Sequence, residues 1–185
     1  MSPVKKKRAS KADWFEVALR LLGEEGVDAV RVERLARELG IARSGFYWHF
    51  KDRQDLRNQL LDYWAHEYTE ILSDNPELRA LDPRTRLTRV SELVLEHNLS
   101  GYDRSFRSWA STDAEVARRF RKVIRTRLQY IRAAFAELGF EGLELEMRTR
   151  VFVAYEAAQP SLYGHESKRA LRELIPHRIA MITRT

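Results

Sequence analysis

The chain has 185 residues, of which 44% are hydrophobic, and this is enough for a sizeable core in one or two domains. Its formal net charge of +6 favours polyanionic partners but does not decide the fold. It contains no cysteine, which excludes disulfide frameworks, thiol nucleophiles and thiolate metal sites.

A basic segment, residues 1–9, opens the chain, and we predict it to be a disordered arm. No apolar run follows this arm, as a secretory signal would require, and no stretch approaches the roughly 18 apolar residues of a transmembrane helix. We therefore expect a cytoplasmic protein with no membrane partner. The basic side chains of this region could follow a DNA backbone or minor groove in a salt-dependent way: Lys5, Lys6, Lys7, Arg8 and Lys11.

The first predicted domain covers residues 10–56. Its apolar residues recur at intervals of three and four, which is typical of helices and not of strands. Ser10 is a suitable N-cap for a first helix, and Gly26 ends that helical region. Asp52 is a suitable N-cap for a long fourth helix.

Two short helices with a tight turn between them form the most informative pattern of this domain. The second helix is predicted over about residues 32–39 and the third over about 43–49, with Gly40 in the turn. This is a helix-turn-helix, whose second helix enters the major groove of DNA. An apolar seam faces the first helix, through Leu35, Ala36, Leu39, Ile41 and Phe46. Small and basic side chains near the start of the third helix suit close approach to base edges: Arg43, Ser44 and Gly45.

The run from Gly40 to Leu56, Gly-Ile-Ala-Arg-Ser-Gly-Phe-Tyr-Trp-His-Phe-Lys-Asp-Arg-Gln-Asp-Leu, closely resembles the signature of the TetR family of bacterial transcriptional regulators. The resemblance covers about residues 10–60. It implies that the groove-facing residues are Arg43, Ser44 and Gly45. It also implies phosphate contacts by Tyr47 and His49 and a clamp on the DNA backbone at Arg53.

Two positions depart from the pattern of that family. The family usually has a small hydroxylated residue near Arg31 and another at Ala42. Arg31 could contact a phosphate instead, whereas Ala42 cannot cap the third helix through its side chain. Lys51 is either a further DNA contact or a solvated surface lysine.

The second predicted domain covers residues 57–185 and is also helical. The spacing of apolar residues and the positions of glycines predict helices over about residues 83–99, 103–111, 113–138, 143–163 and 167–183. The whole chain should therefore be all-α, with about nine helices. Pro176 lies inside the last segment and should kink that helix or make it restart.

By its resemblance to the TetR family, this second domain should hold a small, partly apolar effector and pair with a second copy. A homodimer is expected through about residues 143–183, which places two recognition helices about 34–36 Å apart. The same helices could instead merely close the core of the monomer. The candidate pocket residues are Trp64, His97, Phe106, Trp109, Tyr130, Phe152, Tyr155 and Gln159.

Two further patterns have less specific meanings. Residues 66–70, His-Glu-Tyr-Thr-Glu, lack the second histidine of a zinc-binding HExxH helix, so no metal and no cofactor are expected. The segment 118–132 carries seven Lys and Arg residues and no acid. It is either the solvated face of an amphipathic helix or a surface that attracts an anionic ligand or the field of DNA.

These features together indicate a dimeric DNA-binding transcription regulator and not an enzyme. The main hypothesis is a repressor that a small-molecule ligand releases from a palindromic operator. The alternative is an architectural or spatial DNA-binding adaptor without an effector, which would have a filled helical domain. A third hypothesis, a helical enzyme with an incidental helix-turn-helix, would need a deep polar pocket with paired carboxylates or a metal.

Overall fold

A computed structural model describes residues 9–184 of the chain. The predicted basic arm, residues 1–9, therefore lies outside the described residues except for Ala9. The predicted all-α fold is confirmed, because helices and turns account for residues 9–184 and no strand occurs among them. The chain divides into two compact units after Trp64, whereas the sequence placed the domain boundary after residue 56.

The first unit contains the helices of the predicted helix-turn-helix. Helix α1 spans Lys11–Glu25, α2 spans Val32–Glu38, a 3₁₀ helix spans Arg43–Trp48, and α3 spans Arg53–Ala65. A short 3₁₀ turn, Val27–Ala29, separates α1 from α2. The predicted cap of α1 is confirmed: the Ser10 hydroxyl accepts from the Asp13 amide at 3.2 Å, and the Asp13 carboxylate accepts from the Ser10 amide at 2.7 Å.

An aromatic cluster forms the centre of this unit. The ring of Trp14 lies edge-on to Phe46, with the centroids 5.5 Å apart, and Phe46 lies 5.1 Å from Phe50. Phe46 and Trp14 are completely buried. Burial of an aromatic side chain contributes several kcal/mol, since truncation to alanine typically costs about 3–5 kcal/mol. This cluster therefore fixes the 3₁₀ helix against α1.

The second unit begins with three short elements: a π turn at His66–Glu70, α4 at Ile71–Ser73 and α5 at Pro76–Ala80. Five longer helices follow, namely α6 (Pro83–Glu96), α7 (Asp103–Ala110), α8 (Ala114–Glu137), α9 (Gly142–Tyr163) and α10 (Lys168–Ile182). They match the predicted helices to within three residues at each end. The short segment α5 had not been predicted, although Asn75 and Pro76 form a standard N-cap and first-turn pair for it.

Local capping explains where the long helices start. Asp82 accepts from the amides of Arg84 and Thr85, both at 3.1 Å, and Asp113 accepts from two amides of α8 in the same way. The expected restart at Pro176 does not occur, because α10 continues through it. Helix α9 likewise continues through Pro160.

The core of the second unit lies where α6, α8, α9 and α10 pack together. Phe135 and Phe152 are almost completely buried there, with ring centroids 6.3 Å apart. Within the described residues, no helix is long and apolar enough to cross a membrane. Residues 9–184 also hold no group of three or more His, Cys, Asp or Glu residues placed to share a metal ion.

Candidate nucleic-acid interface and helical-domain cavity

The turn between α2 and the 3₁₀ helix is set by glycine at position 40. Gly40 has a φ of +65°, which residues with a side chain rarely adopt. Its amide donates to the Arg37 carbonyl at 3.1 Å, and the Ile41 amide donates to the Ala36 carbonyl at 3.0 Å. This pair of bonds is a Schellman motif, which ends α2 and redirects the chain. The predicted turn is therefore present.

The segment predicted as the third helix is a 3₁₀ helix instead of an α-helix. Ala42 is its N-cap residue and makes no side-chain cap, as the sequence suggested. The Gly45 amide donates to the Ala42 carbonyl at 2.9 Å. A Cβ added to Gly45 would lie 3.4 Å from the Ile41 side chain and 4.0 Å from the Trp14 ring, so position 45 lies against the core of this unit.

Burial of Phe46 decides which residues of the 3₁₀ helix face outward. Phe46 and Phe50 are buried, whereas Arg43, Ser44 and Tyr47 are exposed. Trp48 is 81% exposed, which is unusual for so large an apolar ring. Trp48 was not among the contacts predicted from the motif. Its position between two buried phenylalanines was the signal that it faces solvent.

Arg43 has two polar neighbours on this surface. One guanidinium nitrogen lies 2.9 Å from the Glu33 carboxylate, and another donates to the Tyr47 hydroxyl at 3.3 Å. The Tyr47 hydroxyl and the Glu33 charge raise the pKa of Arg43, so this side chain stays a cation. A cation of this geometry can pair with a phosphate or with two acceptors on a guanine edge.

The other predicted contacts have different surroundings. The ring Nε2 of His49 lies 3.0 Å from the Ala9 carbonyl, and Arg31 donates through Nε to the Asp28 carbonyl at 2.7 Å. Arg53 donates to the Val30 carbonyl at 2.8 Å and to the Val27 carbonyl at 3.2 Å, so its guanidinium already binds the turn after α1.

Lys51 is exposed, and its backbone amide donates to the Asp55 carboxylate at 2.9 Å. Its side chain therefore extends from a fixed backbone position.

The 3₁₀ helix and its flanks present an exposed arginine, two exposed aromatic rings and small residues on one surface. Such a surface can bind a polyanion and approach base edges.

A small cavity of about 50 Å³ lies within the second unit. Its wall is mainly apolar, with contributions from α6, α8 and α9 and from the π turn. Seven side chains with polar groups also line it: Tyr68, Thr69, Ser73, Ser100, Arg127, Tyr130 and Glu156. Ligand pockets for drug-sized molecules usually measure about 300–1,000 Å³, so the cavity in this state is small.

Of the eight predicted pocket residues, Tyr130 and Phe152 line this cavity. Phe106 and Trp109 are buried against each other on α7, with ring centroids 6.0 Å apart. The ring of Tyr155 lies 4.0 Å from the Arg178 guanidinium, and Gln159 is buried in α9. His97 is exposed after α6, and Trp64 is buried in the first unit. The sequence had not indicated Arg127 as a member of this wall.

Two buried ion pairs lie at the cavity wall. Arg127 binds both oxygens of the buried Asp103, one of them at 3.1 Å. Arg178 donates to one oxygen of Glu156 at 2.6 Å, and the Ser91 hydroxyl donates to the same oxygen at 2.6 Å. Burial raises the pKa of the Glu156 carboxyl, while Arg178 and Ser91 act in the opposite direction.

Helices α9 and α10 also carry an exposed apolar face. On α9 this face repeats every three or four residues from Leu143 through Met147 and Val151 to Ala154, and Leu162 lies eight residues further along. Leu174 and Met181 are exposed on α10. Leu143 is 89% exposed and Met181 67% exposed, which is unusual for large apolar side chains of a chain on its own. Other apolar residues of these two helices face the core, including Leu145, Phe152, Ile175 and Ile179.

Comparison with known proteins agrees with these features. Residues 15–60 match the family model described as bacterial regulatory proteins of the tetR family. The HTH-type transcriptional regulator AcrR of Shigella flexneri is 31% identical over 81 residues, which are 44% of this chain and 36% of AcrR. The chain thus matches about a third of the length of its curated relatives.

Solved structures share the fold over nearly the whole chain. A transcriptional regulator from Rhodococcus sp. Rha1 has a TM-score of 0.71 at 18% identity, covering 94% of this chain and 96% of that one. The regulator FadR from Bacillus subtilis, solved in complex with stearoyl-CoA, has a TM-score of 0.70 at 15% identity, covering 94% of this chain and 98% of that one. Likeness at these identities establishes the fold alone.

Proposed function

Because the chain belongs to the TetR family of bacterial regulatory proteins through its N-terminal domain, we propose that it is a DNA-binding transcription regulator. The observation that carries this proposal is the surface of the 3₁₀ helix, where Arg43, Tyr47 and Trp48 are exposed while Phe46 anchors the backbone. Arg43, Ser44 and Gly45 would approach base edges. Tyr47, His49, Lys51 and Arg31 would contact phosphates, and Arg53 would act from the start of α3.

A homodimer through α9 and α10 belongs to the same proposal. The exposed face with Leu143, Met147 and Leu174 supports it, since burial of this face would remove apolar surface from water. One short reading helix makes few base contacts. A twofold dimer doubles them and matches successive major grooves of a palindromic operator.

We further propose that the protein is a repressor that a small molecule releases from its operator. The cavity in the second unit supports a ligand site, and differential affinity of the ligand for two states of the dimer would lower DNA affinity. This role places the protein in the cytoplasm and assigns it no catalytic reaction. The small size of the cavity favours a second candidate, a DNA-binding adaptor that responds to no effector.

Selection of bound sequences from random double-stranded DNA tests the proposed function. The expected product contains two inverted half-sites whose centres are separated by about 10–10.5 base pairs or a multiple of this. Recovery of a single, non-repeated site would contradict the dimeric reading mode. Recovery of no enriched sequence would contradict sequence-specific DNA binding altogether.

A further inference from the structure

In the wall of the cavity of the second unit, some hydrogen-bonding groups have several partners and others have none among residues 9–184. In its positively charged group, Arg127, all three guanidinium nitrogens donate hydrogen bonds. Arg127 binds the two oxygens of Asp103, donates from Nε to the Thr69 hydroxyl at 2.9 Å, and donates to the Tyr68 carbonyl at 3.3 Å. An anionic ligand would have to compete with all of these acceptors.

In the negatively charged group, Glu156, only one of the two carboxylate oxygens accepts hydrogen bonds from residues 9–184. Its Oε1 accepts from Ser91 and Arg178, both at 2.6 Å. Its Oε2 is buried and accepts no hydrogen bond from any residue in the described part of the chain. The residue as a whole is 6% exposed and lines the cavity. A buried acceptor without a donor costs about 1–3 kcal/mol, so this oxygen would gain from a donor placed in the cavity.

Tyr130 supplies a second polar group in the same wall. Its hydroxyl is buried and has no hydrogen-bond partner among residues 9–184. The rest of the lining is mostly aliphatic, with Val90, Val94, Ile131 and Val153 among its members. The cavity thus combines a mostly apolar wall with a carboxylate, Glu156, that has one oxygen without a hydrogen-bond partner among residues 9–184.

We propose that the effector is a small, uncharged and mostly apolar molecule whose hydroxyl or N–H group donates a hydrogen bond to Oε2 of Glu156. This inference rests on the proposed control by a ligand and specifies the class of that ligand. The charges of the wall already balance in two ion pairs, Arg127 with Asp103 and Arg178 with Glu156. A charged ligand would therefore lose its hydration without gaining an unpaired counter-charge.

The dimensions of the cavity limit the size of the ligand that it can hold in this state. It has about 50 Å³ of open space, whereas a buried benzene requires a cavity of about 150 Å³. A six-membered ring would thus bind a somewhat expanded state of the second unit. Preference for an expanded state is the differential affinity that a release mechanism needs.

Cyclohexanol and cyclohexanone are suitable probes, because they have nearly the same shape and only the alcohol donates a hydrogen bond. Each is titrated into the full-length, isotope-labelled protein without DNA, and binding is followed by amide chemical shifts. The alcohol should bind about tenfold more tightly or better, with shifts centred on residues of the cavity wall. Cyclohexanecarboxylate and cyclohexylammonium should bind more weakly than the alcohol.

Two variants make the test specific. In Glu156→Gln, the amide oxygen stays with the donors Ser91 and Arg178, so the amide nitrogen takes the place of Oε2. The preference should then invert in favour of the ketone. Ala157→Met fills the cavity without touching the carboxylate and should abolish binding of both probes. If Glu156→Gln does not fold, the preference of the wild type for the alcohol and the loss of binding in Ala157→Met still test the inference.

Equal or tighter binding of the ketone or the carboxylate to the wild type would overturn the inference. So would binding that survives Ala157→Met, or an absence of binding at millimolar probe, in which case the cavity holds only water. None of these outcomes involves DNA. Failure of this inference is therefore distinguishable from failure of the proposed function, which the DNA selection tests separately.

Discussion

The guanidinium of Arg43 lies 2.9 Å from the carboxylate of Glu33, so the proposed base-reading arginine is paired with an acid of the preceding helix. Both side chains are more than half exposed, and an exposed pair of this kind contributes little to stability. Its consequence concerns binding, because Arg43 must leave Glu33 before it can bind a base or a phosphate. Glu33 also places a negative charge on the surface that would face DNA.

The first prediction concerns that acid. Glu33→Gln should strengthen DNA binding about two- to tenfold at low salt, because it frees Arg43 and removes repulsion with the phosphates. Fluorescence anisotropy with a selected operator measures the effect. Glu24→Gln is the matched control, since Glu24 also pairs with an arginine, Arg20, on the surface of the first unit. Unchanged or weaker binding in Glu33→Gln would show that the pair does not compete with DNA.

The second prediction concerns Arg43 itself. Arg43→Ala should weaken operator binding about tenfold to a hundredfold and relax sequence preference at one position of each half-site. Arg89→Ala removes an exposed arginine of α6 that also pairs with an acid, and it should leave the affinity nearly unchanged. If Arg43→Ala binds every operator variant as the wild type does, Arg43 does not belong to the reading surface.

The third prediction separates two roles of Arg53. Its guanidinium donates to the carbonyls of Val30 and Val27, which lie in the turn before α2. Arg53→Lys keeps the charge but cannot reproduce the two-armed contact, so it should destabilise the first unit by about 1–2 kcal/mol. Amide hydrogen exchange in α1 and α2 measures this loss. Normal exchange rates together with weaker DNA binding would instead indicate a direct phosphate contact.

The fourth prediction concerns dimerisation. Met147→Glu places a charge in the middle of the exposed face of α9, where Met147 is 62% exposed in the single chain. The variant should sediment as a monomer of 21.8 kDa, whereas the wild type should have twice that mass. Ala133→Glu, at an exposed position of α8, is the control and should remain dimeric. A dimeric Met147→Glu would place the interface elsewhere.

The fifth prediction is a pH dependence. Arg86 is buried and binds both oxygens of Glu137 at 2.8 Å, which lowers the pKa of Glu137. A carboxyl with a lowered pKa stabilises the fold above its unfolded pKa, about 4.3, and this contribution is lost as the pH falls through the folded value. The wild type should therefore lose stability in this acid range.

Glu137→Gln is the variant that isolates this contribution. It should be less stable than the wild type at pH 7 by about 1–3 kcal/mol. This loss is smaller than that for breaking a fully buried pair, because Glu137 is half exposed. The difference should shrink below pH 4, which urea unfolding at several pH values can measure. Glu146→Gln, which affects an exposed pair with Arg132, should change stability far less. A constant difference at all pH values would show that the carboxylate charge is not the cause.

The local elements of this protein follow from short stretches of its sequence. Ser10, Asp52, Asp82 and Asp113 mark helix starts, because each side chain binds amides only two or three residues away. Gly40 marks the turn of the reading motif, because its positive φ is a local requirement. The expectation that Phe46 points inward also depended on a local pattern, the spacing of apolar residues. These signals were sufficient for the all-α fold and for the surface of the 3₁₀ helix.

Contacts between distant residues needed the tertiary structure. Arg53 donates a hydrogen bond to Val30, 23 positions away in the sequence, and Glu156 accepts one from Ser91, 65 positions away. No local pattern predicts either pair. Helix α9 is apolar on more than one side, and its sequence alone could not tell that Leu145 is buried while Leu143 is exposed. The physical reason is that a side chain's partner depends on how helices pack. Periodicity sets the faces of a helix, but only packing decides which face meets the core.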